Sequence, residues 1–346
     1  MAVTAFNTMI APPVGILATG SYLPALEVGS DEVERLVGVE PGWIERKTRI
    51  RARRRAAPEE ATSDLAAQAA ASALAQAGLD ADSIDYLVVS TSTGDHPMPP
   101  TSSLVQSALS AARAACFDVN AVCSGFVYAM ALARGLVSLS PGAHALVVGA
   151  DIYSRILDFG DRRTAVLFGD GAGAAVLGPV PEGYGIIDLD LVNHRGTEKL
   201  IRIEAGGSRR PPTRETVEAG EHYFRMDGRG VRDFVMENVP PTLAALVERA
   251  GYGLDEVDHF VPHQANGVLL DELVGRCGLE GARTLHTLER YGNIGSASVP
   301  VTLDEVNRAG SLADGDLVLL AGFGGGMSIG ACLLRWSGRA LGEETR

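Results

Sequence analysis

The stretch Ala77-Gly-Leu-Asp-Ala-Asp-Ser-Ile-Asp-Tyr-Leu-Val-Val89 returns 173 positions later as Ala250-Gly-Tyr-Gly-Leu-Asp-Glu-Val-Asp-His-Phe-Val-Pro262. In both copies an Ala-Gly pair leads to an aliphatic residue, an aspartate and a strand-like apolar run. The same offset relates Asn120-Ala-Val-Cys123 to Asn293-Ile-Gly-Ser296, and His144-Ala-Leu-Val-Val-Gly149 lies 172 positions before Asp316-Leu-Val-Leu-Leu-Ala321. Phe168-Gly-Asp-Gly-Ala-Gly173 is echoed by Phe323-Gly-Gly-Gly-Met-Ser328 at an offset of 155, the first copy carrying extra sequence. Matches in this order mark a duplication. The chain therefore reads as two related α/β halves, residues 1–180 and 231–346, joined by a connecting region 181–230 in which Gly206-Gly-Ser-Arg-Arg-Pro-Pro-Thr213 predicts irregular structure with two strands.

Working outward, a chain of 346 residues with 46% hydrophobic content has the material for a large core in one or two domains. Apolar runs alternate with Ala-rich helical stretches such as Ser63-Asp-Leu-Ala-Ala-Gln-Ala-Ala-Ala-Ser-Ala-Leu74, capped by Ser63 or Asp64. That alternation predicts layers of helix and sheet. Residues 231–250 have helical spacing, with Pro240-Pro241 expected to start a new helix or kink it. The tail 338–346 is expected to be mobile.

Several function classes recede on composition alone. The net charge of -13 opposes general nucleic-acid binding. No apolar run is expected to span a membrane, and no leader is recognisable, since the first basic residue is Arg35. Cysteines 116, 123, 277 and 332 lack CxxC spacing, which suits free thiols in a reducing cytoplasm. Gly169-Asp-Gly171-Ala-Gly173 does not fit G-x-G-x-x-G, and Gly322-Phe-Gly324-Gly-Gly326 precedes a strand-like run, so a dinucleotide site is disfavoured. The cationic run Arg46 to Arg55, following Trp43, reads either as a solvated loop or as a phosphate-contacting rim.

Three motifs carry chemistry in order: Asp118-Val-Asn-Ala-Val-Cys123-Ser-Gly125, Pro262-His263-Gln-Ala-Asn266 and Tyr291-Gly-Asn293-Ile-Gly-Ser-Ala-Ser298. A cysteine among small residues, with a histidine and an asparagine able to hold a carbonyl oxygen, points to acyl transfer. Each residue alone would be an ordinary buried cysteine or structural histidine. It is their combination that speaks.

The Cys123, His263-Gln-Ala-Asn266 and Gly292-Asn293 motifs, with Phe168-Gly-Asp-Gly-Ala-Gly and Gly322-Phe-Gly-Gly-Gly, resemble the β-ketoacyl-acyl-carrier-protein synthase III family of the thiolase superfamily, over almost the whole chain. The resemblance implies a duplicated thiolase-like five-layered α-β-α-β-α sandwich, a homodimer, and no metal or redox cofactor. It implies that Cys123 is the nucleophile, at the start of a helix running to about Val137 whose N-terminus favours a thiolate. His263 and Asn293 would bind the extender carbonyl and hold the enolate formed as carbon dioxide leaves, and the N–H groups of Cys123 and Gly325 would form the oxyanion hole. Trp43 and Arg162 would flank the adenine of coenzyme A, and Asn266 would contact its pantetheine arm.

The implied reaction is acyl transfer from acyl-CoA to Cys123, then decarboxylative condensation with a malonyl thioester, priming a fatty-acid or polyketide-type product. Three departures qualify it. Lys47 and Arg49 stand where the family commonly has Arg and Gly. Val268 replaces a usual arginine and is followed by Asp271-Glu272, which weakens docking of an acidic acyl carrier protein, with Arg276 and Arg229 as candidates to compensate. Met98-Pro-Pro-Thr101 replaces the bulky aromatic of acetyl-specific members, so acetyl specificity does not follow from sequence. The alternatives are a synthase-III-like acyltransferase forming an ester or amide and, less favoured, a papain-like cysteine hydrolase with the same Cys, His, Asn order.

Overall fold

The computed structural model describes residues 12–337, so the tail 338–346 lies outside the described residues. In chain order it contains β1 (Val14–Tyr22), β2 (Leu26–Gly29), α1 (Ser30–Val37), α2 (Trp43–Thr48), β3 (Ala52–Arg55), α3 (Thr62–Ala77), β4 (Tyr86–Ser90), α4 (Thr101–Leu109), β5 (Ala115–Val119), α5 (Gly125–Leu139), β6 (Ala145–Ile152) and β7 (Asp170–Pro179). There follow β8 (Gly185–Asn193), β9 (Ile201–Arg202), α6 (Arg214–Glu218), β10 (Arg225–Met226), α7 (Gly228–Arg249), β11 (His259–Pro262), α8 (Gly267–Cys277), α9 (Leu288–Tyr291), α10 (Ser298–Arg308), β12 (Leu317–Gly324) and β13 (Ser328–Arg335).

The repeated segments become equivalent strands of two sheets. One sheet has the order β1-β7-β6-β4-β5 and the other β11-β12-β13-β8. In the first, β4 runs parallel to β6 while β6, β7 and β1 alternate in direction; in the second, β11 is parallel to β12 while β12, β13 and β8 alternate. Thus β4-β6-β7-β1 corresponds to β11-β12-β13-β8. The fifth strand, β5, has as its counterpart a single parallel bridge between His259 and Arg283. Within the stretch 181–230, Gly185–Asn193 is an edge strand of the second sheet, and β9 and β10 pair with each other.

Strand periodicity sorts the core into layers. In β4 and β6 the side chains of Leu87, Val89, Leu146, Val148 and Ala150 face α3 together with Val105 of α4, while Val88, Ala145 and Val147 face the opposite way. Those inner residues pack with Phe126, Val127 and Met130 of α5, Val299 and Leu303 of α10, and Val318, Leu320, Cys332 and Leu334 of the second sheet. The other face of that sheet, with Leu319, Phe323 and Leu333, packs under Val239, Leu243 and Leu246 of α7 and Leu273 of α8. The order is therefore helix, sheet, helix, sheet, helix: the five-layered sandwich that the resemblance implied.

Tertiary packing overrides local expectation in three places. α7 is continuous from Gly228 to Arg249 through Pro240 and Pro241, so of the two expectations there the start of a new helix is not met. Asn238 Nδ2 donates to Phe234 O at 2.8 Å and Thr242 Oγ1 to Asn238 O at 2.8 Å, and burying Val239, Leu243 and Leu246, at about 1.5–3 kcal/mol each, offsets the lost backbone bonds. The cationic run is not a broad phosphate rim. Arg53 is fully buried in β3, with its guanidinium donating to Ser30 Oγ and Val166 O, while Arg46, Arg49, Arg51 and Arg54 pair with Glu40, Asp271, Glu289 and Glu27. Val122–Leu139 is, against expectation, long and apolar enough to cross a membrane by length and composition, and the fold places it between the sheets, half of it buried.

Candidate active site

Cys123 sits on a 3₁₀ turn, Val122–Ser124, that leads into α5. Val122 is held at φ 49°, a conformation that costs a β-branched residue on the order of 1–2 kcal/mol. The turn is clamped from the other half: Ser124 Oγ and Ser328 Oγ hydrogen-bond at 2.6 Å, and a Cβ on Gly324 would lie 2.8 Å from Cys123 Cβ and N, so only glycine fits there. The helix begins just after Cys123 rather than at it.

His263 follows β11. Its N–H donates to Ala321 O at 2.7 Å, and its ring meets the Phe323 ring edge-on at 5.4 Å and 80°. Its Nδ1 is buried with no partner among the described residues, and burial depresses the imidazole pKa to about 3. The ring is thus neutral at physiological pH, suited to donating a hydrogen bond and poor as a base.

Asn293 is fixed by three bonds. Its N–H donates to Leu167 O at 2.8 Å, its carbonyl accepts from Gly169 N–H at 3.0 Å, and its Oδ1 accepts from Gly295 N–H at 2.9 Å. Because Oδ1 faces the Gly295 amide, Nδ2 is left as the free donor.

These three residues, from both halves of the chain, line one small cavity of about 40 Å³ together with Val122, Phe168, Phe224, Phe323 and Gly324. Met226, Val231, Ala265, Leu269 and Asn293 are shared with a larger cleft of about 390 Å³, whose wall also carries Trp43, Lys47, Arg162 and Asn266. Arg162 Cζ lies 6.0 Å from the centre of the Trp43 ring. Asn266 already caps α8, its Oδ1 accepting from the N–H groups of Val268 (2.9 Å) and Leu269 (3.2 Å), while Nδ2 donates to Lys47 O at 3.3 Å. An adjoining cleft of about 490 Å³ is lined by Arg163, Lys199, Arg202, Arg225 and Arg229. Gly324 forms part of the inner cavity wall, and Gly325 follows it against Val122 and Ile201.

Two features depart from the sequence reading. The Cys123 thiol is pushed up, chiefly by burial and then by the Asp151 carboxylate, although hydrogen bonds from Tyr153 and its own N–H act the other way. The substrate-free site therefore holds a thiol, and the start of α5 does not by itself yield a thiolate. The inner cavity is walled by Phe168, Phe224 and Phe323, a lining that the sequence reading missed. Tyr153 stacks on Phe168 at 4.5 Å, and Phe224 meets both edge-on at 5.6 and 5.0 Å. Met98 is 82% exposed and lies outside that wall. Among the described residues no group of three His, Cys, Asp or Glu side chains comes together as a metal site.

Comparison with known proteins agrees with this geometry. Residues 117–194 match the 3-oxoacyl-[acyl-carrier-protein] synthase III family, and residues 247–336 match that family's C-terminal domain. The chain is 43% identical over 324 residues to a β-ketoacyl-[acyl-carrier-protein] synthase III of Symbiobacterium thermophilum, covering 94% of this chain and 98% of that protein. The chain belongs to this family. It is also 50% identical over 323 residues to the acetoacetyl-CoA synthase NphT7 of a Streptomyces species, covering 93% of this chain and 98% of that protein. Among solved structures, the priming β-ketosynthase of the R1128 polyketide pathway superposes with a TM-score of 0.87 at 35% identity, covering 94% of this chain and 97% of the other. The protein is accordingly an acyl-transferring condensing enzyme of the synthase III type, whose reaction fits Claisen condensation with a malonyl thioester. The papain-like alternative falls with the fold.

Proposed function

We propose that the enzyme condenses a short acyl group, acetyl above all, from acyl-CoA with malonyl-CoA. Cys123 Sγ attacks the acyl thioester, coenzyme A leaves as the thiol, and the acyl group rests on the cysteine. The N–H groups of Cys123 and Gly325 hold the transient oxyanion. The malonyl thioester then enters, its carbonyl accepts hydrogen bonds from His263 and Asn293 Nδ2, carbon dioxide departs, and the enolate carbon attacks the acyl-cysteine to give a β-ketoacyl thioester and free Cys123. The pairing of Trp43 with Arg162 at the outer cleft suits an adenine, and Asn266 lies along the pantetheine path. Neighbouring arginines suit the phosphates. No bound cofactor enters these steps.

One observation carries this reading: Cys123, His263 and Asn293 line a single cavity that joins a cleft ending at Trp43 and Arg162. The aromatic wall and the small volume favour a short acyl chain, and the free Nδ2 of Asn293 favours holding an enolate over ester or amide formation. A cytoplasmic homodimer is part of the proposal. It is supported by four free cysteines, the open outer edge of β5, and the exposed Leu132 and Leu139 of α5. Intact-protein mass spectrometry with a panel of acyl-CoAs, followed by malonyl-CoA and product analysis, tests it. Acetyl on Cys123 converted to acetoacetyl-CoA is expected; a loaded enzyme that transfers only to alcohols or amines would overturn it.

A further inference from the structure

An asparagine that holds a carbonyl must present the donor end of its amide. Asn293 Oδ1 and Nδ2 have nearly the same shape, and a reversed amide would set an acceptor against the thioester carbonyl. The backbone of Asn293 is fixed by its bonds to Leu167 and Gly169, but the bond that selects the orientation of the amide is the one from Gly295 N–H to Oδ1 at 2.9 Å. Reversal would put Nδ2 against that N–H, donor to donor. The useful donor is therefore only as well aimed as the turn Asn293-Ile294-Gly295-Ser296 is held.

What holds the turn lies behind it. Asp151, near the end of β6, is fully buried, and neither it nor Ser296 lines the cavity. Its Oδ2 accepts from Ser296 N–H at 2.8 Å and shares the Ser296 hydroxyl proton with Ser90 O. A Cβ on Gly295 would lie 2.3 Å from that same oxygen, so the carboxylate is packed against the backbone of the turn.

On the other side, Asp151 Oδ1 accepts from Ser92 N–H at 2.9 Å and from the hydroxyls of Thr91, Ser92 and Thr93 at 3.2, 3.0 and 2.9 Å. Each of these partners is a donor, and they come from two separate segments that the carboxylate joins. Burial raises its proton affinity, while the bonds from Ser296, Ser92 and Thr93 act the other way. Removing such an acceptor leaves buried donors with no water to turn to, so the segments it joins must shift.

We propose that Asp151 is a positioning residue for the condensation half-reaction: by holding Ser296 and Gly295 it fixes the turn that aims Asn293 Nδ2 at the carbonyl of the malonyl thioester. It touches neither substrate nor the reacting atoms, and no proton or bond is exchanged at it. Cys123 does not depend on this support, since its own turn is clamped by Ser124, Ser328 and Gly324. The Asp151 charge in fact opposes ionisation of the Cys123 thiol. Loss of Asp151 should therefore separate two half-reactions that a general loosening of the fold would lower together.

This inference rests on the roles proposed for Cys123 and Asn293, and the experiment separates the claims. Acetyl loading from acetyl-CoA is followed by rapid quench and intact-protein mass spectrometry, and carbon dioxide release from saturating malonyl-CoA is followed on the loaded enzyme. The proteins are the parent, Asp151→Ala, Ser296→Ala, Asn293→Ala and the double variant Asp151→Ala with Asn293→Ala. Asp151→Ala should load acetyl within about threefold of the parent, or faster, yet release carbon dioxide about 10²-fold more slowly, the scale of a misplaced catalytic group. Ser296→Ala keeps its N–H on Asp151 and should show the same selective loss at about 3–10-fold. The double variant should be no slower than Asn293→Ala alone, because the amide that Asp151 aims is gone. A parent that takes no acetyl, or an Asn293→Ala protein that decarboxylates like the parent, refutes the proposed function at that residue. With both standing, variants at Asp151 and Ser296 that decarboxylate like the parent, that lose both half-reactions equally, or whose losses add to that of Asn293→Ala refute the positioning role alone. Ser296→Ala carries the test should Asp151→Ala fail to fold.

Discussion

The two halves carry the same turn at the same place and use it differently. Asn120 Oδ1 accepts the N–H of Val122 at 3.3 Å, and Asn293 Oδ1 accepts that of Gly295 at 2.9 Å. Val122 and Gly295 are both left-handed, at φ 49° and 58°, and each opens a 3₁₀ turn leading to a helix of the central layer. The middle residue is Cys123 in one turn and Ser296 in the other. Asn120 is exposed, whereas Asn293 faces the cavity. Ser296 lies outside the cavity; its N–H donates to Asp151 Oδ2 at 2.8 Å, and its one hydroxyl proton is shared between Asp151 Oδ2 and Ser90 O, each at 2.8 Å. Duplication thus supplied one backbone device twice, and the packing of the halves turned one copy into a candidate nucleophile and the other into a support for the carboxylate behind it.

The sharpest break in the symmetry is at the mid-turn residues. Cys123→Ala is expected to abolish acyl-enzyme formation outright, because Cys116, Cys277 and Cys332 lie outside the cavity. Intact-protein mass spectrometry checks it, and a stoichiometric adduct on the variant would reassign the nucleophile. The asparagines come next. Asn293→Ala should leave a stable acyl-Cys123 but slow malonyl decarboxylation by about 10²–10³-fold, the usual cost of a lost oxyanion donor. Asn120→Ala should cost no more than a weak turn bond, about 1 kcal/mol, with decarboxylation unchanged. Carbon dioxide release measured on both variants tests the pair, and equal losses would erase the distinction.

Much of this was legible in the sequence because the repeat fixes which strands are equivalent, and because Cys123, His263 and Asn293 each sit beside a strand end or a turn that any thiolase-like packing brings to the middle. What escaped notice depends on contacts between distant segments. Asp151 follows the apolar run of β6 with no motif around it, and its partners come from residues 91–93 and 296. Its one signal was a charged residue ending a fully buried strand. Arg53 could not be told from its cationic neighbours, since only the docking of β3 against Val166 and Ser30 buries it. The edge strand β8 was obscured by the irregular sequence after it, although it begins the second copy just as β1 begins the first.

Stability offers a smaller test of the same comparison. A Cβ on Gly295 would lie 2.3 Å from Asp151 Oδ2 and 2.4 Å from Tyr153, in a backbone conformation that disfavours side chains, so Gly295→Ala should destabilise by about 2–4 kcal/mol. Val122 faces the cavity and tolerates its side chain, so Val122→Ala should cost less than half as much by denaturant unfolding. His263 adds a pH dependence whose sign follows from burial. Between about pH 6.5 and 3 the unfolded chain takes a proton that folded His263 refuses, so stability falls as pH drops through that window. In His263→Gln that part of the acid limb should flatten; an unchanged limb would assign it to carboxylates alone.

The smallest effect concerns the outer rim, where the second half's α8 forms part of the cleft wall while α4, its counterpart between β4 and β5, does not. Val268 is 44% exposed at the start of α8, on the wall that carries Trp43 and Arg162. The nearby acids are not free to repel a partner. Glu272 is held by Arg232 at 2.6 Å and by Arg276 at 3.3 Å, and Asp271 by Arg49 at 3.6 Å. The deficit relative to a basic docking patch is therefore one missing cation rather than an excess of anions, and acyl groups or extenders on coenzyme A should be preferred over the same groups on an acidic carrier protein. Adding a rim charge raises association rate more than bound affinity and is screened by salt. Val268→Arg should raise kcat/KM for the carrier-protein substrate severalfold at low ionic strength, roughly 3–10-fold, lose most of that gain near 0.5 M salt, and leave kcat/KM for the coenzyme A substrate within about twofold. An equal gain for both substrates would place the new arginine on the coenzyme A phosphates instead, and a parent that already prefers the carrier protein would show that the arginines lining the adjoining cleft do the docking.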